Sequence, residues 1–417
     1  MKHLLTNRSF LAVWSAQFVS GLGDKVAVLA FFSLVLDRTG NVADLGLLAA
    51  AQVLPGVVLG PVAGVLIDRW RAKAVLVGAD VLGAVVCLAL PLFWESLGAV
   101  YLAAGLLATA RQFAGPARLA LMPDIVPTEH LQRSNALTML SSNLILLLGM
   151  AAGGWVVFRL GAAAAFRVDA ATFLISAVIL GARHFRYLPR DAEAAPPAPA
   201  RLGDLRQGAV WIWSRPRLRF AVVFLATVTV VTAMQPPLVF DFVRVVLGRT
   251  EAQLGLIFAA AGLGGLLGAV LAAATRGRAA PLKVVSWLVA LDGAFLALFA
   301  VNRSVALAAG LFLIFGALST GIQVNLATFL QRETPPEQRG RVFGWLSPLL
   351  GPVTLLSVLT GPLLAGKFGA GTVLLAAGGV ELLVGLAGRG VLGRRHDLAG
   401  APLPVEQGEL KAMEGRA

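Results

Sequence analysis

Between residues 17 and 32 the chain reads QFVSGLGDKVAVLAFF, and an acid and a base, Asp24 and Lys25, stand side by side within an apolar run. Gln17, Ser20, Gly21 and Asp24 recur at i, i+3, i+4 and i+7, the spacing of one helix face. A charge at mid-bilayer costs roughly 2.5–3.5 kcal/mol on insertion scales, so such a stripe is expected to face a water-filled cavity. A carboxyl there can take a proton from one side and release it on the other. It can equally form a structural ion pair, a helix–helix hydrogen bond or a contact to substrate. Lys25 favours the ionised acid, and its own side chain could face the loops, the lipid boundary or Asp24. Arg111, in ARQFAGPAR, cannot be neutralised and must have partners. Asp24 is one candidate, and snorkelling to the cytoplasmic surface is the alternative.

Other polar residues interrupt apolar runs. Asp80, Asp292 and Glu381 suit structural hydrogen bonding. Arg167 and Asp169 are expected near the outer face, bonded to neighbouring helices instead of each other. Asp241 and Arg244 lie three apart and could pair or form part of an outer gate. Pro236 and Pro237, in MQPPLVF, predict a break in their helix, either a hinge or a static bend. Gln235, with Ser319, Gln323 and Asn325 from STGIQVNLATF, offers uncharged hydrogen-bonding groups to a substrate or to other helices.

These residues must be positioned by membrane helices. The chain is 58% hydrophobic and 14% charged, against about 25% charged in soluble domains. Its net charge of +13 reads as basic loops against anionic lipid, and no motif supports nucleic-acid binding. Cys87 is the single cysteine, which excludes an intrachain disulfide and a cysteine metal cluster; a small buried apolar role is expected. The histidines, His3, His130, His184 and His396, do not cluster, no phosphate-binding loop occurs, and neither a metal, a cofactor nor an enzymatic constellation is expected.

A span needs about 20 mostly apolar residues. Twelve runs qualify: 9–36, 44–67, 74–94, 97–119, 134–158, 162–183, 217–243, 252–275, 282–301, 304–328, 342–366 and 369–392. The first exceeds the 7–15 residues of a signal-peptide core and is read as an uncleaved span. With a cytoplasmic N-terminus, 26 of the 35 Lys and Arg fall on inside segments, so both ends are expected in the cytoplasm. The polar segment 184–216, containing PRDAEAAPPAPARLGDLRQ, reads as a surface linker between an N-terminal six-helix unit (1–183) and a C-terminal one (217–392), with a cytoplasmic tail at 393–417.

The two units repeat. LGLLAAAQVLPG from Leu45 pairs with LGLIFAAAGLGG from Leu254, a shift of 209, and PTEHLQR from Pro127 pairs with PPEQRGR from Pro335, a shift of 208. Two segments with nearly one shift predict a duplicated unit, hence an all-α membrane protein of twelve transmembrane helices in two pseudo-symmetric bundles.

The duplicated unit, the central linker and the loop GVLIDRWRAK resemble the major facilitator superfamily of secondary transporters. Gly64, Asp68, Arg69 and Lys73 match its signature loop, whereas Arg71 and Ala72 replace the usual Gly and Arg. SGLGDKVAVLAF, RVDAATFLISAVIL and TFLQRETPPEQRGRVFG are similar to the drug-exporter branch that includes macrolide efflux proteins and the enterobactin exporter. AQFVSGLGD and GPARLALMPDIVPTEHLQRSNAL are shared with bacterial lysophospholipid transporters. The resemblance implies a cavity lined by helices 1, 4, 7 and 10 and opened alternately to each side. It also implies a cytoplasmic gate of Gly64, Asp68, Arg69, Lys73 and Arg341, in which Asp68 holds the start of helix 11. The expected activity is proton-coupled export of amphipathic drugs or secondary metabolites by a monomer in the cytoplasmic (inner) membrane. A lysophospholipid transporter is the alternative, and a non-transporting receptor or scaffold is the alternative of another class.

Overall fold

The computed structural model describes residues 4, 6–67, 70–183, 185, 187, 209–274 and 281–394, and the described residues contain no strand. Eleven helices are long and apolar enough to cross a membrane, so the chain is a multi-pass all-α membrane protein. In order they begin with α1 (Arg8–Thr39), α2 (Val42–Ile67), α3 (Ala72–Phe93) and α4 (Leu97–Ile125). Next comes a 55-residue helix, Thr128–Ala182. At about 1.5 Å per residue it is over twice the thickness of a bilayer's hydrocarbon core. It turns back at Gly161 (φ 78, ψ 171), a conformation essentially restricted to glycine, and its two arms are α5 (128–160) and α6 (162–182). Then follow α7 (Pro216–Asp241), α8 (Glu251–Ala274), α9 (Pro281–Val301), α10 (Val305–Glu333), α11 (Pro336–Phe368) and α12 (Ala370–Arg394).

The gaps between expected spans at 120–133 and 329–341 are helical corners and not open loops. ARLALMPDIVPTEHLQR is helical on both sides of Val126–Pro127, and RETPPEQRGR is helical on both sides of Thr334–Pro335. Each proline has lost its donor at a point where no intrahelical partner exists, so it starts the next helix without cost. The prolines of MQPPLVF do not interrupt α7, which runs unbroken to Asp241 and widens into a π turn at Phe242–Val246. Most of the linker 184–216 and nearly all of the tail 393–417 lie outside the described residues.

Small residues set the packing. An added Cβ at Gly153 of α5 would lie 2.9 Å from Val26 Cα of α1, and one at Gly83 of α3 would lie 2.8 Å from the Phe173 ring of α6. Gly293 and Gly378 bring the backbones of α9 and α12 together, and there Asp292 and Glu381 are buried face to face. Beyond each other, Asp292 Oδ1 and the two oxygens of Glu381 meet no donor among the described residues. Asp80 accepts from Ser176 Oγ on α6, the structural role expected of it.

The first six spans and the last six touch chiefly where α2 packs on α11 and α5 on α8. The apolar cores show how this contact is distributed. At the end of the molecule marked by Gly40, one core draws on all the spans, from Val26–Leu36 of α1 to Phe240 of α7, Phe242 just beyond it and Leu374 of α12. At the opposite end, marked by Pro127, there are two cores. One gathers Phe10, Leu121 and Leu180 from the first half, the other Leu218, Val285 and Phe329 from the second, and neither contains a residue of the other half. Among the described residues, the apolar core is therefore shared by the halves at the Gly40 end and divided between them at the Pro127 end.

Candidate functional site

The polar stripe of α1 points inward. Gln17, Ser20, Gly21 and Asp24 line a cavity of about 250 Å³. Asp80 of α3 and Arg111, Gly115 and Arg118 of α4 complete its polar rim, with Ile145 and Phe173 closing it from α5 and α6. Asp24 Oδ1 accepts from Arg111 Nη1 at 2.9 Å, so the two intramembrane charges satisfy one another across α1 and α4. Both are part-exposed to the cavity, 21% for Asp24 and 38% for Arg111. An arginine in a span needs a partner, and a carboxylate one helix away gives it a charge-assisted bond. Gly115, one turn beyond Arg111, has nothing within 4 Å of the place a Cβ would occupy, which leaves the guanidinium's cavity face open.

Arg118 is the residue the sequence reading missed. It stands at the very end of the expected span 97–119, but α4 continues to Ile125 and carries Arg118 into the cavity. Its signal was available: Arg111 and Arg118 are seven apart, two turns along one helix face. Among the described residues none of the lining comes from α7 or α10; those that bound the cavity holding Asp24 all belong to first-half helices.

Behind Asp24 lies a second carboxyl. Asp169 of α6 is fully buried and accepts from Cys87 Sγ at 3.4 Å and Thr172 Oγ1 at 3.3 Å. It packs on α1 at Gly23, where any Cβ would overlap Asp169 and Thr172. Cys87 is thus buried but also donates a hydrogen bond. Arg167 is exposed and does not pair with Asp169. Lys25 is kept out of the cavity: its stem lies on Gly149 of α5, and among the described residues its ammonium forms no ion pair or hydrogen bond. The stripe that directs Asp24 inward turns its neighbour about 100° away.

The second-half polar candidates are not gathered with Asp24. Gln235 is buried with Nε2 unpartnered. Gln323 Nε2 donates to Ser319 Oγ at 3.4 Å, and Asn325 Nδ2 donates to the Gly321 carbonyl of its own helix at 2.8 Å.

At the Gly40 end the two halves are tied by charge as well as by the shared core. Arg244, in the π turn after α7, pairs with Asp37 of α1 at 3.0 Å and with Glu251 of α8 at 2.7 Å. Ser33 Oγ lies 3.0 Å from both Asp37 Oδ2 and Glu251 Oε1. Asp241 is buried nearby but is not the partner of Arg244, contrary to the pairing their spacing allowed. A π turn winds wider than an α turn and displaces Arg244 from the i+3 position over Asp241. Phe32 and Phe240 stack below, centroids 5.4 Å apart, and Gly154 and Gly255 let α5 and α8 meet backbone to backbone.

At the Pro127 end, two ties among the described residues each join helices of one half. Lys73 Nζ donates to the carbonyls of Gly181 and Arg183 at 3.1 and 2.7 Å and lies over the Phe185 ring, joining α3 to the end of α6. It therefore makes no bond across the halves, where a gate residue was expected. Arg217 pairs with Glu333 at 3.0 Å, joining α7 to α10. Of the other gate candidates, Asp68 and Arg69 lie outside the described residues. Gly64 and Arg341 fall on α2 and α11, where only the backbone is described.

A multi-pass helical protein with two inter-packed halves, paired charges around an intramembrane cavity and a seam sealed at one end is a secondary transporter working by alternating access, not an enzyme. Residues 13–353 match the Major Facilitator Superfamily, and the chain belongs to that superfamily. It is 28% identical over 398 residues to the multidrug efflux pump Tap of Mycolicibacterium fortuitum, covering 90% of this chain and 94% of that protein. It is 24% identical over 399 residues to the uncharacterized MFS-type transporter YfiS of Bacillus subtilis (strain 168), covering 91% and 92%. Among solved structures, a bacterial homologue of the human lysosomal transporter Spinster, inward-facing and unoccupied, superposes with a TM-score of 0.76 at 15% identity, over 95% of this chain and 99% of that one. A bacterial homologue of the iron transporter ferroportin, also inward-facing, gives 0.72 at 16% identity, over 93% and 99%.

Proposed function

We propose that this protein is a proton-coupled exporter of amphipathic drugs or secondary metabolites in the cytoplasmic membrane, acting as a monomer. The observation that carries the reading is the Asp24–Arg111 pair on the wall of an intramembrane cavity. Protonation of Asp24 removes the charge that holds Arg111 and frees the guanidinium toward the cavity, so proton uptake and substrate contact share one pair of side chains. The likeness to a named multidrug efflux pump over most of both chains supports the substrate class.

The two halves are read as bundles of residues 1–183 and 217–392 related by pseudo-symmetry. Three observations support this. The pairs α2–α4, α3–α4 and α2–α11 recur, six helices later, as α8–α10, α9–α10 and α8–α5. The two proline corners stand 208 residues apart. Their backbones agree, with Pro127 at φ −55, ψ 143 and Pro335 at φ −55, ψ 149. The excess of Lys and Arg assigns the Pro127 end and both termini to the cytoplasm. Fusion at the Gly40 end and separate packing at the Pro127 end then describe an inward-facing state, with Arg244, Asp37 and Glu251 as the outer gate.

The test is export from proteoliposomes with an imposed pH gradient, measured for a panel of amphipathic drugs beside lysophosphatidylcholine. Drug movement that stops when the gradient is collapsed supports the exporter. Gradient-independent movement of the lysophospholipid alone supports the second reading, which the stretches AQFVSGLGD and GPARLALMPDIVPTEHLQRSNAL favour.

A further inference from the structure

A second cavity, about 600 Å³, lies on the flank of the first half. Apart from Trp70 and Arg71, just before α3, its lining among the described residues comes from α3 and α4, so it opens sideways, toward lipid. Val75, Leu82 and Phe113 make it apolar; among the described residues Arg71, exposed at one edge, is its one charged lining residue. Its size falls within the ~300–1,000 Å³ of sites for drug-sized ligands. Ala79 of α3 and Ala110 of α4 line both this cleft and the cavity that holds Asp24. Two methyl groups are thus the shared wall between an apolar slot facing the bilayer and a polar chamber inside the bundle.

The charges of the chamber are unequally satisfied. Arg111 is held by Asp24, and Asp80 accepts from Ser176. Arg118 has no ion pair or hydrogen bond among the described residues. An unpaired guanidinium on a chamber wall is a binding group for an anion, since it offers a planar fork of donors and remains charged.

We infer that cleft and chamber form one amphipathic site for a single-chain amphiphile with an anionic head, which enters between α3 and α4, leaves its chain in the cleft and passes its head across Ala79 and Ala110 to Arg118. The inference rests on reading the Asp24 chamber as the transport site. It adds the route, the residue that recognises the head, and the sign of the substrate's charge. A cationic amphiphile would find Arg71 at the edge and Arg118 within, and is disfavoured on both counts.

The probes are radiolabelled dodecyl phosphate and dodecyltrimethylammonium, measured by equilibrium binding to the full chain in phosphatidylcholine nanodiscs and by flux into proteoliposomes. The wild type is expected to bind dodecyl phosphate saturably. Arg118→Gln is expected to weaken it about tenfold, the effect of losing one charge-assisted hydrogen bond. Ala79→Phe and Ala110→Leu, which fill the shared wall, are expected to weaken dodecyl phosphate at least as much and leave butyl phosphate unchanged. Thermal melting of each variant separates a closed wall from a misfolded chain, and Arg118→Lys, which keeps the charge, is expected to recover part of the loss. Wild-type affinity in both Arg118→Gln and Ala79→Phe overturns the inference. So does absence of dodecyl phosphate binding by the wild type, or equal binding of the trimethylammonium probe. Binding that depends on these residues without any flux overturns the transport reading and leaves the site assigned.

Discussion

Arg244 holds the closed end of the seam, and its removal has a calculable effect. It bonds Glu251 at 2.7 Å and Asp37 at 3.0 Å, with Glu251 10% exposed and Asp37 55% exposed. The Asp37 pair is screened by solvent and contributes at most about 1 kcal/mol. The Glu251 pair is nearly buried, and removing one partner of such a pair costs about 3–5 kcal/mol, because the remaining charge is left uncompensated. Ser33 stays on Glu251 and offsets part of this. In Arg244→Ala the closed arrangement should therefore lose about 3 kcal/mol relative to an open one, in which Glu251 is hydrated. That is a shift of roughly a hundredfold in the ratio of the two states. Spin labels at Asn41→Cys and Arg303→Cys, both exposed at the Gly40 end, read that ratio by pulsed electron resonance in a Cys87→Ser background. The parent should give one short distance and Arg244→Ala a second, longer one. An unchanged distance distribution with unchanged melting would refute the assignment of Arg244 as the tie between the halves.

Other consequences follow from the packing. Gly23→Ala places a methyl group on Asp169 and Thr172 and should lower thermal stability by about 1–3 kcal/mol in a melting assay, with Asp24 untouched. Asp292→Asn replaces a facing carboxyl with an amide that offers Glu381 an N–H and removes one of two buried acids, and should raise stability by about 1 kcal/mol, read as an upward shift in Tm. Gly255→Val obstructs the approach of α8 to α5 at Gly154. It should abolish outer closure and transport while the protein still purifies as a folded monomer by size-exclusion chromatography.

Much of the architecture was legible because the bilayer imposes length and hydropathy on every span. The Asp24 stripe was legible for the same reason: four polar or small residues on one face of an apolar helix have one physical destination. Arg118 was not, since its run ends in MPDIVPTE and a basic residue near a span's end reads as loop until α4 is seen to continue to Ile125. The Arg244 partners were hidden by the π turn, which a periodicity of 3.6 cannot anticipate. Asp37 and Glu251 lie on other helices, and Cys87 and Asp169 are separated by 82 residues. No local pattern joins such pairs, and their meeting is decided by glycine contacts such as Gly23 on α6.

The measurement that bears most directly on the account is gradient-driven accumulation beside counterflow exchange in proteoliposomes for Asp24→Asn. The neutral isostere keeps the cavity's shape and can still hydrogen-bond Arg111, but it cannot cycle a proton. Accumulation driven by a pH gradient should disappear while labelled substrate still exchanges. Accumulation at the rate of the unmodified protein would contradict the placement of proton and substrate at the Asp24–Arg111 pair.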